Sequence, residues 1–91
     1  MTDKTQLFKE TIAKWGVAAQ VTMGMEECGE LIAALNQYFF RRRITIEALA
    51  QEVADVELVC AQMRSLIGDD VVDVAKKYKI ERLEARLKEI L

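Results

Sequence analysis

Residues 45–68 read TIEALAQEVADVELVCAQMRSLIG, and this stretch decides the fold. Thr45 offers the side-chain oxygen that caps a helix N-terminus, and Ile44 and Leu49 flank it at the spacing of a hydrophobic staple. Leu49, Val53, Val56, Cys60, Met63 and Ile67 then line one side at helical spacing, and Ile46, Ala50, Ala54, Leu58 and Ala61 line another. Gly68 is a natural stop. A helix that is apolar on nearly every side has to be central and covered by several neighbours. The expectation is therefore an all-α protein organised around this helix.

The flanking sequence supplies the neighbours. A first helix is expected from Asp3, as N-cap, to about Trp15, with Leu7, Phe8, Ile12 and Trp15 at helical spacing and a turn or kink at Trp15-Gly16. A second runs from about Val17 to Phe40. Its apolar set of Val21, Met25, Cys28, Leu31, Ile32, Leu35, Tyr38, Phe39 and Phe40 is wider than a surface helix needs. Arg41 to Ile44 form a short connection. A fourth helix, capped by Asp69 or Asp70 and running to about residue 90, carries Val71, Val74, Tyr78, Leu83 and Leu87 as its stripe.

Ninety-one residues without repeat, linker or low-complexity tract make one helical domain spanning 1–91. The absence of proline and the presence of only four glycines argue against a turn-rich β-sandwich. Apolar runs are too short to cross a bilayer, and the opening from Met1 to Glu10 is polar and charged, so a cytoplasmic protein with no membrane partner is expected. A single bundle of this size buries only a modest core. The second and third helices have more apolar surface than it can hide, and Tyr38, Phe39 and Phe40 spread over about 200° of helix surface. A homodimer or homotetramer with a shared core is the economical solution.

Histidine is absent, which excludes a catalytic triad, the His-based zinc sites and the Glu/His di-iron bundle. Cys28 and Cys60 lie in apolar helical sequence without a Cys-x-x-Cys spacing and read as reduced, buried thiols. Any metal would be held by carboxylates, which points to hard ions such as Mg²⁺ or Mn²⁺. The charge is patterned: residues 44–73 hold seven acids and one base, whereas Arg41-Arg42-Arg43 precede them and six bases with three acids follow. With a net charge of −2, nucleic-acid binding is not expected. Carboxylates for a metal beside Lys and Arg for phosphates would suit a metal-bound polyphosphate.

The acids themselves are clustered. In Glu26-Glu27-Cys28-Gly29-Glu30, Glu30 lies about 40° from Glu26 and about 60° from Glu27 around the helix, so the three share a sector. Glu52 and Asp55, three apart, share a face of the third helix. No Lys or Arg stands three or four residues from Glu26, Glu27, Glu52 or Asp55. Like charges placed in apolar helices repel and resist desolvation, and a divalent cation shared by the two helices resolves the conflict.

Glu26-Glu27-x-x-Glu30, then 21 residues, then Glu52-x-x-Asp55, resembles the EExxE…ExxD signature of the MazG-like all-α nucleoside triphosphate pyrophosphohydrolases. Trp15-Gly16, Gln20 and Glu30-Leu31 agree in context, and the similarity extends from about Trp15 to Arg82. The signature is shared with dimeric dUTPases and phosphoribosyl-ATP pyrophosphohydrolases. The resemblance implies a four-helix protomer in a dimer or tetramer, hydrolysing nucleoside triphosphates to monophosphate and pyrophosphate with Mg²⁺, which Mn²⁺ can replace. It implies Glu27, Glu30, Glu52 and Asp55 as metal ligands; Glu26, the extra acid of the signature, is either a further ligand or, with Glu27, a candidate for activating water. Lys77 and Arg82 match phosphate-side residues of some relatives, although an Asn common in that stretch is Glu81 here. Trp15 is a candidate for stacking on the base. An inactive metal- or nucleotide-binding relative and a helical interaction module remain the alternatives.

Overall fold

The computed structural model describes residues 4–89. It contains four α-helices: α1 Lys4–Trp15, α2 Val17–Asn36, α3 Ile46–Ile67 and α4 Asp69–Glu89. No strand occurs among the described residues. The expected N-cap Asp3 lies outside them. None of the described helices is long and apolar enough to cross a membrane.

The boundaries have local causes. α1 ends because Gly16, at φ 88°, leaves the helical region while its N–H still donates to the Ile12 carbonyl at 2.8 Å. Glycine adopts that angle without steric cost. α2 does not simply stop near Phe40. Its last turn, Gln37–Arg41, widens into a π-helix, and Arg42 follows in the left-handed region at φ 53° with its N–H donating to the Gln37 carbonyl. Thr45 caps α3 as expected, its Oγ1 accepting from the Ala48 N–H at 3.1 Å. Gly68, at φ 107°, separates α3 from α4. Asp69 is already helical, so neither it nor Asp70 is the expected cap. Instead Arg64 of α3 donates to Asp69 at 3.2 Å and Asp73 at 2.8 Å, fastening the start of α4 to the end of α3.

The body of the fold is the antiparallel α2–α3 pair with α1 laid against both. Phe8, Ala34, Leu49 and Val59 are its buried apolar residues. α2 turns the row Gln20, Gly24, Glu27, Leu31 and Ala34 inward, and three of these, Gln20, Gly24 and Ala34, are buried. Gly24 is there because α3 comes so close that a Cβ would stand 2.9 Å from the Val59 Cγ1. Across the other end of the body, Gln62 of α3 donates to Thr11 of α1 at 3.4 Å.

α4 departs from the expectation of one apolar stripe. Five residues separate Tyr78 from Leu83, about 140° of rotation, so Val71, Val74 and Tyr78 face one way and Ile80, Leu83 and Leu87 roughly the opposite way. All six are exposed, and the helix buries no residue. Its principal packing is against α3 alone. The thiols depart too: Cys28 and Cys60 are exposed, not buried.

Candidate metal centre

Glu27 reaches the site from the inward row of α2, and Glu52 and Asp55 reach it from the α3 face that meets α2. One carboxylate oxygen from each of the three lies within 4.8 Å of the others. Glu27 and Glu52 are half-buried, and each keeps one oxygen, Oε2, shut off from solvent with no hydrogen-bond partner. A buried carboxylate oxygen without a donor is strongly disfavoured.

The electrostatics follow from that placement. Desolvation comes first and lifts the Glu27 carboxyl above its ordinary value; repulsion from Glu30, Asp55 and Glu52 lifts it further. Glu52 is lifted in the same way, by desolvation first and then by Glu30 and Asp55. Glu27 is within hydrogen-bonding reach of Asp55, and Glu52 of Glu30, contacts that only a protonated carboxyl can make. The four acids Glu27, Glu30, Glu52 and Asp55 therefore act as one electrostatic unit. Among the described residues no cation acts on Glu27 or Glu52. α2 has no basic residue, and the single base of α3, Arg64, is committed to Asp69 and Asp73.

Such a donor set fits a hard divalent cation. Around Mg²⁺, oxygens bond at about 2.0–2.1 Å and stand at most about 4.2 Å apart, so the three oxygens are a small side-chain rotation from shared coordination. A cation would supply partners to both orphaned oxygens and remove the mutual repulsion together.

The other residues singled out in the sequence stand apart from this cluster. Glu26 is exposed, on the next position around the helix, and is not among the carboxylates that act on Glu27 or Glu52. Trp15 ends α1 half-exposed, with the Lys14 Nζ 5.2 Å from its ring centroid. Lys77 and Arg82 lie on α4, and every residue lining the hollows beside them belongs to α4 itself. The protomer brings neither base to the acids. Gln20 is the most buried polar residue among those described, 2% exposed, and the reading of α2 passed over its depth. Its place four and seven residues before Gly24 and Glu27 was the available signal. No protein-family model matches the chain, and no curated protein or solved structure matches it either.

Proposed function

We propose that the protein is a Mg²⁺-dependent nucleoside triphosphate pyrophosphohydrolase of the MazG-like kind, cleaving the α–β bond to give nucleoside monophosphate and pyrophosphate. The observation that carries this reading is the un-neutralised carboxylate unit across α2 and α3, with an orphaned oxygen on each helix. Its members are the same residues on which the signature resemblance rests. Glu27, Glu30, Glu52 and Asp55 would hold the cation. When bound, Mg²⁺ offsets the charge of the phosphates and acidifies a water.

The chain's own contribution is positional. Carboxylates on two packed helices keep their spacing through the reaction, so the phosphates meet a fixed frame. Water attacks the α-phosphorus, the bond to the bridging oxygen breaks, and pyrophosphate leaves with that oxygen. The proton of the attacking water passes to a carboxylate, for which Glu26, exposed beside the cluster, and Glu27 are the candidates.

One observation favours a second reading, a metal-binding relative without turnover: Lys77 and Arg82 are not gathered at the acids. A panel of ordinary and modified nucleoside triphosphates, assayed for pyrophosphate release across a Mg²⁺ titration, separates the two. Release that tracks Mg²⁺ supports hydrolysis. Mg²⁺ binding with no release from any member of the panel supports the second reading, and absence of Mg²⁺ binding removes both.

A further inference from the structure

The end of the α2–α3 hairpin opposite Gly16 and Gly68 is bare. α1 and α4 both join the pair at the other end, and the π turn Gln37–Arg41 packs principally on α2 itself. Large apolar residues collect there. Phe40 is 83% exposed, more than any other large apolar side chain among the described residues, and Phe39 and Ile46 are 60% and 58% exposed. Ile44 is half-buried and joins Tyr38, Phe39 and Arg42 around a hollow of about 400 Å³. The Tyr38 ring stands edge-on to Phe39, 5.0 Å between centroids, and braces it.

The same end is cationic. Between Glu30 and Glu47 the chain has Arg41, Arg42 and Arg43 and no acid. All three arginines are exposed, and both ion pairs among the described residues belong to Arg64. Arg42 also holds a left-handed backbone, at φ 53°, where glycine would be unstrained. A guanidinium is kept there at a cost in strain.

We propose that this end of the hairpin docks on an anionic lipid bilayer, with the arginines at the headgroup phosphates and Phe39 and Phe40 seated among the acyl chains beneath them. Guanidinium groups pair with phosphates bidentately. An anionic leaflet attracts basic residues held close to it, and exposed aromatic rings add the second, apolar hold that a lasting surface contact needs. Two observations favour a bilayer over a nucleic acid, the other polyanion that the arginines could meet. The largest exposed groups beside them are hydrocarbon, whereas Gln37 and Tyr38 are half-buried and Thr45 is occupied in capping α3. A bilayer also touches only the end of the pair. Glu30 stands eight residues before Tyr38, about 12 Å back along α2 and beyond the Debye length of about 8 Å. A strand lying across the pair would meet the acid face. The one acid close to the arginines in sequence is Glu47, in the first turn of α3.

The contact is peripheral, since none of the described helices can cross a bilayer. The length of the apolar runs, on which the expectation of no membrane partner rests, tests a span and is silent on a surface. The proposal does not depend on the hydrolysis proposed above, and its test reads no activity.

Co-sedimentation of the full chain with vesicles is that test. Phosphatidylcholine vesicles containing about 30% phosphatidylglycerol should bind it at least about tenfold more tightly than phosphatidylcholine alone, and salt at about 0.5 M should weaken the binding. Arg41→Gln/Arg42→Gln/Arg43→Gln should lose about 100-fold, or about fivefold per arginine. Phe39→Ser/Phe40→Ser should lose about tenfold or more with helicity retained. Lys4→Gln/Lys9→Gln/Lys88→Gln removes the same charge from exposed positions elsewhere and should bind within about twofold of the parent. In a Trp15→Phe background, the emission of Phe40→Trp should move to shorter wavelength on the anionic vesicles. No binding, equal binding to the two kinds of vesicle, or emission that does not move overturns the proposal. So does a lysine triple that loses as much as the arginine triple, or a Phe39→Ser/Phe40→Ser protein that binds like the parent. A chain that ignores vesicles and holds a fluorescent single-stranded oligonucleotide through the same arginines overturns it as well.

Discussion

The two faces of the α2–α3 pair are built from neighbouring residues and behave oppositely. One face of α2 carries apolar side chains from Val21 to Phe39, with Met25, Ile32 and Phe39 exposed and no charged residue of α2 among them. The other carries Glu27, Glu30, Glu52 and Asp55, which repel and leave two oxygens without partners. A helix pair stabilised only by packing would fill the inward positions of Glu27 and Glu52 with apolar residues. Acids held there at a cost to stability mark the face to which the proposed chemistry is assigned.

The sharpest way to break this contrast is to remove the acids one at a time. Glu27→Gln, Glu30→Gln, Glu52→Gln and Asp55→Asn should each lower pyrophosphate release by about 1,000-fold or more, because ligands of one metal cluster act as a unit. Glu57→Gln, about 200° around α3 from Asp55, should retain the parent rate. An Asp55→Asn protein with parental turnover would show that the cluster is not the reaction centre.

Metal should act next most strongly, and on stability. A cation that binds only the folded chain stabilises it by about 2.7 kcal/mol at 100 times its Kd. Thermal melts with Mg²⁺ or Mn²⁺ should rise accordingly in the parent, and Glu52→Gln should lose most of the gain. In metal-free buffer the same substitution should be neutral or stabilising.

The two glycines of α2 sharpen the comparison of inside with outside. A Cβ on Gly24 meets Val59, whereas one on Gly29 meets nothing within 4 Å. In urea melts Gly24→Ala should destabilise by about 1–2 kcal/mol, since overpacking outweighs the gain in helix propensity. Gly29→Ala should stabilise by about 0.5–1 kcal/mol. Equal effects of the two changes would contradict the close contact of α2 with α3.

The smallest effect is in pH. Glu27 and Glu52 bind protons more tightly folded than unfolded, so between the unfolded value near 4.5 and their raised folded values the folded chain carries the extra protons. Their contribution therefore becomes less favourable as pH rises through that window and is fully unfavourable above it. In metal-free buffer, Glu27→Gln/Glu52→Gln should gain on the parent in melting temperature from pH 4.5 to 7. A difference that does not change with pH would mean that the two acids are not perturbed by folding.

Most helix boundaries were legible because single residues set them: Gly16, Thr45 and Gly68 each do locally what their chemistry allows. The π turn at Gln37–Arg41 was not, since nothing in Gln-Tyr-Phe-Phe-Arg demands a wider helix. α4 was misread as one stripe because its apolar residues are frequent but change sides between Tyr78 and Leu83. At the site, spacing paired Glu52 with Asp55 on α3, but on α2 it placed Glu26 in one sector with Glu27 and Glu30, and Glu26 stands apart from the cluster. Which acid of Glu26-Glu27 turns inward depends on how α2 is rotated against α3, and Gly24 opposite Val59 fixes that rotation. The thiols were read as buried because their neighbours are apolar. Cys28 is exposed because the apolar side of α2 that carries it is uncovered, and Cys60 because α4 leaves an open hollow beside it.

The central claim is that the acid face performs hydrolysis at the α-phosphorus. Turnover of a nucleoside triphosphate in H₂¹⁸O with Mg²⁺, followed by mass spectrometry of the products, tests it directly. The account predicts one ¹⁸O in the nucleoside monophosphate, unlabelled pyrophosphate and no orthophosphate. Label in orthophosphate or pyrophosphate, or a nucleoside diphosphate among the products, would contradict it.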